Sequence, residues 1–430
     1  MAAPLDCLID SLSQTGMTRF FKRMFDEFPD LLMKDVTVAA VGADRMIRVG
    51  DRWVRNFGSD SFLGLDQHPV VKEALESGVR DWGTHNGTSR AFSSVAPNIE
   101  VERKIAAWMG TEAALLYPSV TLVNTGALPG LVTRHDVAVA DQFAHNSIEE
   151  GLRLAKARNV RTAKFAHNSP EDLERTLLGL KPYRHALIAV DGVYSMSGQS
   201  PPLAEFQKVA FAHDAFLYVD DAHGTGVVGV QGRGTVLDAL GNYENTLVIG
   251  SLSKALSCLG GFVAGSQAAI NVLKLRSNPL IFGGPVPPPY LVALSAALDV
   301  VNSAEYDVLR QRLDANLQTL HEGATRLGLA VLGGLVPIVS ILVGPEEATL
   351  RAGQFLFDRG YYVQSVVFPA VPHGSGVLRL QMNANHSTEA IEGLIGALAE
   401  LKNAMPLPGP HGETLKLPVP PAERPAAIPA

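Results

Sequence analysis

Residues 217–226 read LYVDDAHGTG, an apolar run that stops at two aspartates, a histidine and two glycines. The apolar part reads as a buried strand bounded by turn residues. Open α/β sheets bind ligands at the carboxyl ends of their strands, so acids at such an end mark a site. Taken alone, the stretch fits a solvated turn behind an ordinary core strand equally well. The segment 246–254, TLVIGSLSK, separates the two readings. It is a second short apolar run, it ends in small hydroxyl residues and Lys254, and residues 255–261 lead from it into a third apolar run at 262–264.

An acid after one strand and a lysine after the next is the pair that a pyridoxal phosphate site requires. The lysine holds the cofactor as a Schiff base, and the acid keeps the pyridinium nitrogen protonated so that the ring can act as an electron sink. The rest of the composition is compatible with such an enzyme. The chain has 430 residues, 47% hydrophobic and 18% charged, enough for one large and one smaller domain with a substantial core. Its net charge is −7 and it has no long basic run, which argues against a nucleic-acid partner. Cys7 and Cys258 make neither a disulfide framework nor a metal motif, so a reducing compartment and no metal are expected. The N-terminus, MAAPLDCLIDSLSQ, lacks the basic and apolar segments of a signal peptide, and no apolar stretch is long enough to span a membrane. A cytoplasmic enzyme is the default expectation.

Along the chain, apolar spacing predicts one or two helices within residues 1–30, a short hairpin at 48–57, a loop at 58–64, a helix at 68–78, an irregular loop at 81–94 and an amphipathic helix at 99–109. Strands at 113–117, 137–140, 161–165, 186–191, 216–220, 246–250 and 261–264 then alternate with helical patterns at 148–157, 170–178 and 203–213. This order predicts a mostly parallel sheet covered on both faces. After the proline-rich 285–289 come a long helical segment, 291–327, and a smaller α+β unit with strands near 338–343, 362–366 and 376–381 and a closing helix at 389–401. The tail, 406–430, is proline-rich and reads as extended or disordered.

From residue 56 to 386 the chain resembles the α-oxoamine synthase family. The resemblance is carried by VDDAHGTGVVGVQGRG (219–234), DGVYSMSG (191–198), SLSKAL (251–256) followed by GGFVAGS (260–266), and VPHGSGVLRLQMNANH (371–386). It implies the aspartate-aminotransferase-like α/β fold, PLP fold type I, with a seven-stranded mostly parallel sheet and a smaller α+β domain. It divides the chain into an N-terminal segment at 1–57, a large cofactor domain at 58–284, a small domain at 285–405 and the tail at 406–430. The implied activity is a pyridoxal-phosphate-dependent acyltransferase of biosynthesis. A small amino acid (glycine, alanine or serine) condenses with an acyl thioester of coenzyme A or a carrier protein, and carbon dioxide is lost. The family builds its sites at a dimer interface, so a homodimer is expected.

The resemblance also assigns residues. Lys254 matches the Schiff-base lysine, Asp220 the acid facing the pyridine nitrogen, His223 the histidine on the phenolic oxygen and His145 the aromatic lid that stacks on the ring; Asp221 is the neighbour that does not touch it. Ser119, Val120 and Thr121 match the phosphate turn, and Ser251 matches a phosphate hydroxyl. Ser195 and Asp191 stand near the ring, Asp191 where glutamate is common. Arg379 matches the arginine that grips the substrate carboxylate, Asn124 an asparagine assigned to the substrate, and His386 reads as structural. The family's SGF or SGY phosphate turn is here Ser119-Val120-Thr121, and a β-branched residue resists positive φ. Its SNDYLG is here residues 59–64, SDSFLG, which puts Asp60 where an asparagine helps hold the amino acid. A carboxylate there repels a substrate carboxylate unless it is paired or protonated. The neighbouring subunit's phosphate threonine is replaced by Gly284, whose backbone N–H remains. The alternatives are another reaction of the same cofactor (aldol cleavage, transamination, or condensation with the carboxylate retained), a non-catalytic partner subunit, and a binding module. The presence of Lys254, Asp220, His223 and Arg379 together argues against the last two.

Overall fold

The computed structural model describes residues 3–27 and 36–409. Three short strands follow two N-terminal helices: β1 (Val38–Val41), β2 (Met46–Val49) and β3 (Arg52–Asn56). The central sheet follows, built from β4 (Ala113–Tyr117), β5 (Val137–Asp141), β6 (Arg161–Phe165), β7 (Ala186–Asp191), β8 (Ala215–Asp220), β9 (Thr246–Ser251) and β10 (Gly261–Gly265). Its seven strands run in the order β4-β10-β9-β8-β7-β5-β6. All neighbours pair parallel except β10, which is antiparallel to both β4 and β9. This is the sheet that the alternation of strands and helices predicts.

Both faces of the sheet are covered, which is why its strands read as continuous apolar runs. Successive side chains point to opposite faces. Leu217, Val219, Ile188 and Val190 enter one apolar cluster, while Tyr218, Leu187 and Ala189 enter the other. The acids at the strand ends are the first polar residues after these runs. The sheet therefore delivers Asp191, Asp220 and Ser251 to one edge.

Two smaller sheets complete the fold. In one, β1, β2 and β3 are joined by β13 (Tyr361–Tyr362), which pairs parallel with β3. The other is antiparallel and contains β11 (Val331–Leu332), β12 (Ile338–Gly344), β14 (Gln364–Val366) and β15 (Gly376–Gln381). The strand expected near 362–366 is thus two strands that belong to different sheets. The helical segment expected at 291–327 is also two elements, Pro288–Val301 and Ala304–Arg326. Ser303 separates them, its hydroxyl accepting the Glu305 N–H at 3.2 Å as an N-cap. Pro288 and Pro289 start a helix as well as ending the extended stretch, because the first helical turn needs no N–H donor. That helix lies close on Pro69–Trp82; a Cβ on Gly78 would stand 2.7 Å from Pro289 Cα. Helices occupy Pro4–Ser13 and Gly16–Glu27 at the N-terminus. Of the tail expected to be extended, residues 410–430 lie outside the described residues. No helix among the described residues is long and apolar enough to cross a membrane.

Candidate active site

Asp191 and Asp220 face each other across β7 and β8 as paired residues at the carboxyl ends of both strands. Asp220 is buried, and its Oδ2 accepts a 2.6 Å hydrogen bond from Asn124 Nδ2 while Oδ1 accepts from the Ala222 N–H at 3.2 Å. Asn124 is fully buried and also donates to Ser147 Oγ at 2.8 Å and accepts from Tyr218 OH at 2.8 Å. Every polar bond of the Asn124 amide is spent inside the protein, behind Asp220. Asn124, which the resemblance assigns to the substrate, thus spends its amide on Asp220, Ser147 and Tyr218.

Asp191 accepts the His145 N–H at 3.0 Å, and burial beside the Asp220 carboxylate pushes its pKa well above the usual range. Two adjacent carboxyl groups in so dry a place do not both ionise. Asp221 turns to the opposite face, where it accepts from Thr235 N at 2.8 Å and Thr235 Oγ1 at 2.9 Å; burial raises it to about 7. Gly192, Gly224 and Gly234 crowd this carboxylate, and a Cβ on Gly234, at φ +93°, would come 1.8 Å from its Oδ2. Asp221 is thus spent on Thr235.

The lysine and the histidine meet. Lys254 Nζ lies 3.3 Å from His223 Nδ1, and His223 Nε2 lies 3.4 Å from Arg379 Nη2. Burial, with the Lys254 and Arg379 charges added, drives His223 well below its ordinary pKa and keeps it neutral. A neutral imidazole has one lone pair, so it cannot accept from both cations. Burial likewise lowers Lys254, although the Asp60 and Asp220 carboxylates pull the other way. His145 caps the helix Asn146–Lys156, with Nδ1 at 2.7 Å from Ser147 Oγ. Desolvation lowers its pKa, Asp220 opposes that shift and Lys254 adds to it. Ser147 therefore links His145 to Asn124 and, through it, to Asp220.

Arg379 arrives from β15 in the small antiparallel sheet. It donates from Nε to the Ser195 carbonyl at 2.6 Å, from Nη1 to Gln364 Oε1 at 2.7 Å and from Nη2 to Asp60 Oδ1 at 3.1 Å. Ser195 is thus at the site through its backbone oxygen. The substituted Asp60 is paired after all, and Gln381 Nε2 donates to the same Oδ1.

At the far end, Ser119 caps the helix Val120–Leu131 by accepting the Leu122 N–H at 3.2 Å. The N–H groups of Val120 and Thr121 have no acceptor within their helix, which suits an anion. Val120 is not among the positive-φ residues. It enters the helix directly, so the β-branched side chain is accommodated without strain. Ser251 Oγ lies 3.1 Å from Ser253 Oγ. Gly284 sits on an exposed turn after Asn278–Phe282 and is not brought to this cluster within the chain.

Sequence reasoning missed Ser147, Tyr218, Ser253, Gln364 and Gln381. Ser253 carried a signal, as the second hydroxyl of SLSK, and Gln381 lies two residues beyond Arg379 on the same strand face. The donor set fits pyridoxal phosphate: a buried carboxylate held by an amide donor, a buried amine beside a neutral imidazole, and a hydroxyl-capped helix start. No group of residues that could hold a metal ion occurs among the described residues.

The chain is similar to known proteins over most of its length. Residues 53–398 match the aminotransferase class I and II family. The 8-amino-7-oxononanoate synthase of Geobacter sulfurreducens is 36% identical over 366 residues, 85% of this chain and 93% of that protein. The 8-amino-7-oxononanoate synthase 1 of Bacillus velezensis is 36% identical over 340 residues, 79% of this chain and 86% of that protein. Among solved structures, serine palmitoyltransferase from S. paucimobilis with PLP–myriocin bound superposes with a TM-score of 0.86 at 26% identity, covering 92% of this chain and 98% of that one. The Sphingomonas wittichii serine palmitoyltransferase gives 0.85 at 25%, covering 91% and 98%.

Proposed function

The chain belongs to the aminotransferase class I and II family and is a pyridoxal-phosphate-dependent α-oxoamine synthase, and on that premise we propose which residues carry its reaction and which amino acid it takes. The reaction class is the decarboxylative condensation of an amino acid with an acyl thioester. The observation that carries the assignment is the Lys254–His223–Arg379 line beside Asp220, which sets an amine, a neutral imidazole and a guanidinium along one edge of the sheet.

Pyridoxal phosphate, when bound, supplies the electron sink for the bond broken at the α-carbon. Lys254 would hold it covalently, and Asp220, fixed by Asn124, would pair with its ring nitrogen. His223 would give its single N–H to the phenolic oxygen. Ser119, Val120, Thr121, Ser251 and Ser253 would receive the phosphate. His145, held by Ser147 and Asp191, would cover the ring face and so fix the ring plane that selects the bond to be broken. Arg379 receives the substrate carboxylate. Burial lowers the Lys254 amine towards the pH at which it works as a base, and Lys254 moves the proton at the α-carbon. Gly284 supplies a backbone N–H to the phosphate of the other subunit in a cytoplasmic homodimer.

Alanine is the favoured amino acid. The product named for the 34–39% identical relatives ends in a methyl on the carbon that bears the amine, which is alanine without its carboxylate, and the adjacent ketone is the acyl carbonyl. The test is to supply alanine, glycine or serine with an acyl-coenzyme A and to measure free thiol and carbon dioxide. Both should appear together with one amino acid and vanish in Lys254→Ala. Turnover of the amino acid that ignores the thioester would refute the assignment and favour an aldolase or a transaminase.

A further inference from the structure

We propose that Asp60 is a resident carboxylate for Arg379, holding the place of the substrate's own carboxylate, so that the amino acid binds by exchange with it. The inference rests on the function proposed above. The Arg379 side chain is only 5% exposed, and a guanidinium so buried requires an anion. Asp60 is the carboxylate paired with it among the described residues, and a substrate carboxylate that grips the same Nη2 must replace it.

The exchange is prepared on both sides. Arg379 and Gln381 project from the same face of β15, and Asp60 Oδ1 already bridges their Nη2 and Nε2 donors. The two donors that Asp60 releases therefore suit one incoming carboxylate. Arg379 does not move when Asp60 leaves, because the Ser195 carbonyl and Gln364 Oε1 hold its other nitrogens. The loop that carries Asp60 also stays. Arg45 binds Asp66 at 2.8 Å and Ser59 at 3.1 Å, and Asn383 Nδ2 donates to the Ser61 carbonyl. Only the Asp60 side chain, 34% exposed, has room to swing towards solvent. Asp60 thereby sets how tightly the pocket holds any α-amino acid, and it selects for substrates whose carboxylate reaches both Arg379 and Gln381.

The test is calorimetric titration of the holoenzyme, wild type and Asp60→Asn, with alanine, glycine and serine, and with ethylamine as an amine that has no carboxylate. Removing the competing anion should tighten the amino acid that binds wild type by about tenfold, one charge-assisted hydrogen bond, with no gain for ethylamine. Unchanged or weaker amino-acid binding in Asp60→Asn overturns the inference and leaves the proposed function standing. An equal gain for ethylamine overturns it too, since Asp60 would then act as a general charge. If no amino acid binds either protein, the proposed function falls, and the inference with it. Asp60→Ser carries the same expectation should Asp60→Asn fail to fold.

Discussion

Asn124→Asp changes one atom at the centre of the site. The carboxylate keeps the bond from Tyr218 OH and can accept from Ser147, but it sets a second acid 2.6 Å from Asp220 Oδ2, where the wild type has an N–H donor. Two unit charges at that separation repel by about 6 kcal/mol at an effective dielectric constant of about 20. One of the pair must keep its proton, and burial beside a like charge raises the pKa of that group by about three units, to near 7. The folded-state pKa is raised above the unfolded one, so the variant is nearly as stable as the wild type in acid. It loses about 1.4 kcal/mol per pH unit as the pH rises from about 4 to about 7, roughly 4 kcal/mol in all. The assay is the thermal unfolding midpoint of both proteins across pH 5 to 8, with cofactor retention on dialysis read in parallel. The gap between wild type and variant should widen with pH, and retention should fall over the same window. A gap that does not change with pH would refute the placement of Asn124 against Asp220.

Two further outcomes test the packing that holds the site. His386 is neutral and fully bonded: Nδ1 accepts from Asn383 N at 3.2 Å, Nε2 lies 3.0 Å from the Asn56 carbonyl, and the ring stacks on Phe57 at 4.0 Å. Burial lowers its pKa from 6.5 to about 4, so its contribution is present at neutral pH and is lost as the pH falls through that window. Wild type should lose about 2 kcal/mol more than His386→Gln between about pH 7 and pH 5 in urea unfolding, and parallel curves would disprove it. Gly234→Ala drives a methyl against the buried Asp221 carboxylate at a positive-φ position. It should destabilise the protein by about 3 kcal/mol or more, measured by thermal unfolding, and a loss under about 1 kcal/mol would show that the Asp221 cage can relax.

The central sheet was legible because burial on both faces turns each strand into an apolar run with an abrupt polar end. Where that condition fails, so does the reading. β1, VAAV, is exposed at three of its four positions and carries no burial pattern. Residues 361–366 are split between two sheets by their pairing partners, Arg55 and Asn56 for one strand and β15 for the other. Ser303 divides the long helical segment through a capping bond that apolar periodicity does not register.

The site was legible to the same degree and failed for a related reason. Residues at strand ends are named by their own segment, so Lys254, Asp220 and His223 could be read where they stand. The hydrogen-bond partners that decide what a residue does are not local. Asn124 reaches Asp220 across 96 positions, and Arg379 reaches Asp60 across 319. From sequence, Asn124 is a polar residue one turn into a helix next to the phosphate turn, and a substrate contact is a fair reading of it. Only the fold reveals that this helix buries it against the back of β8, where its amide donates to Asp220 and accepts from Tyr218 at once. Asp60 shows the converse. Its charge was visible as a departure, and its electrostatic problem with a substrate carboxylate followed from charge alone. The solution lay in a guanidinium delivered by a different sheet, so the acid that looks incompatible with substrate binding in sequence is paired with Arg379, and in the exchange proposed above that pair is the starting state.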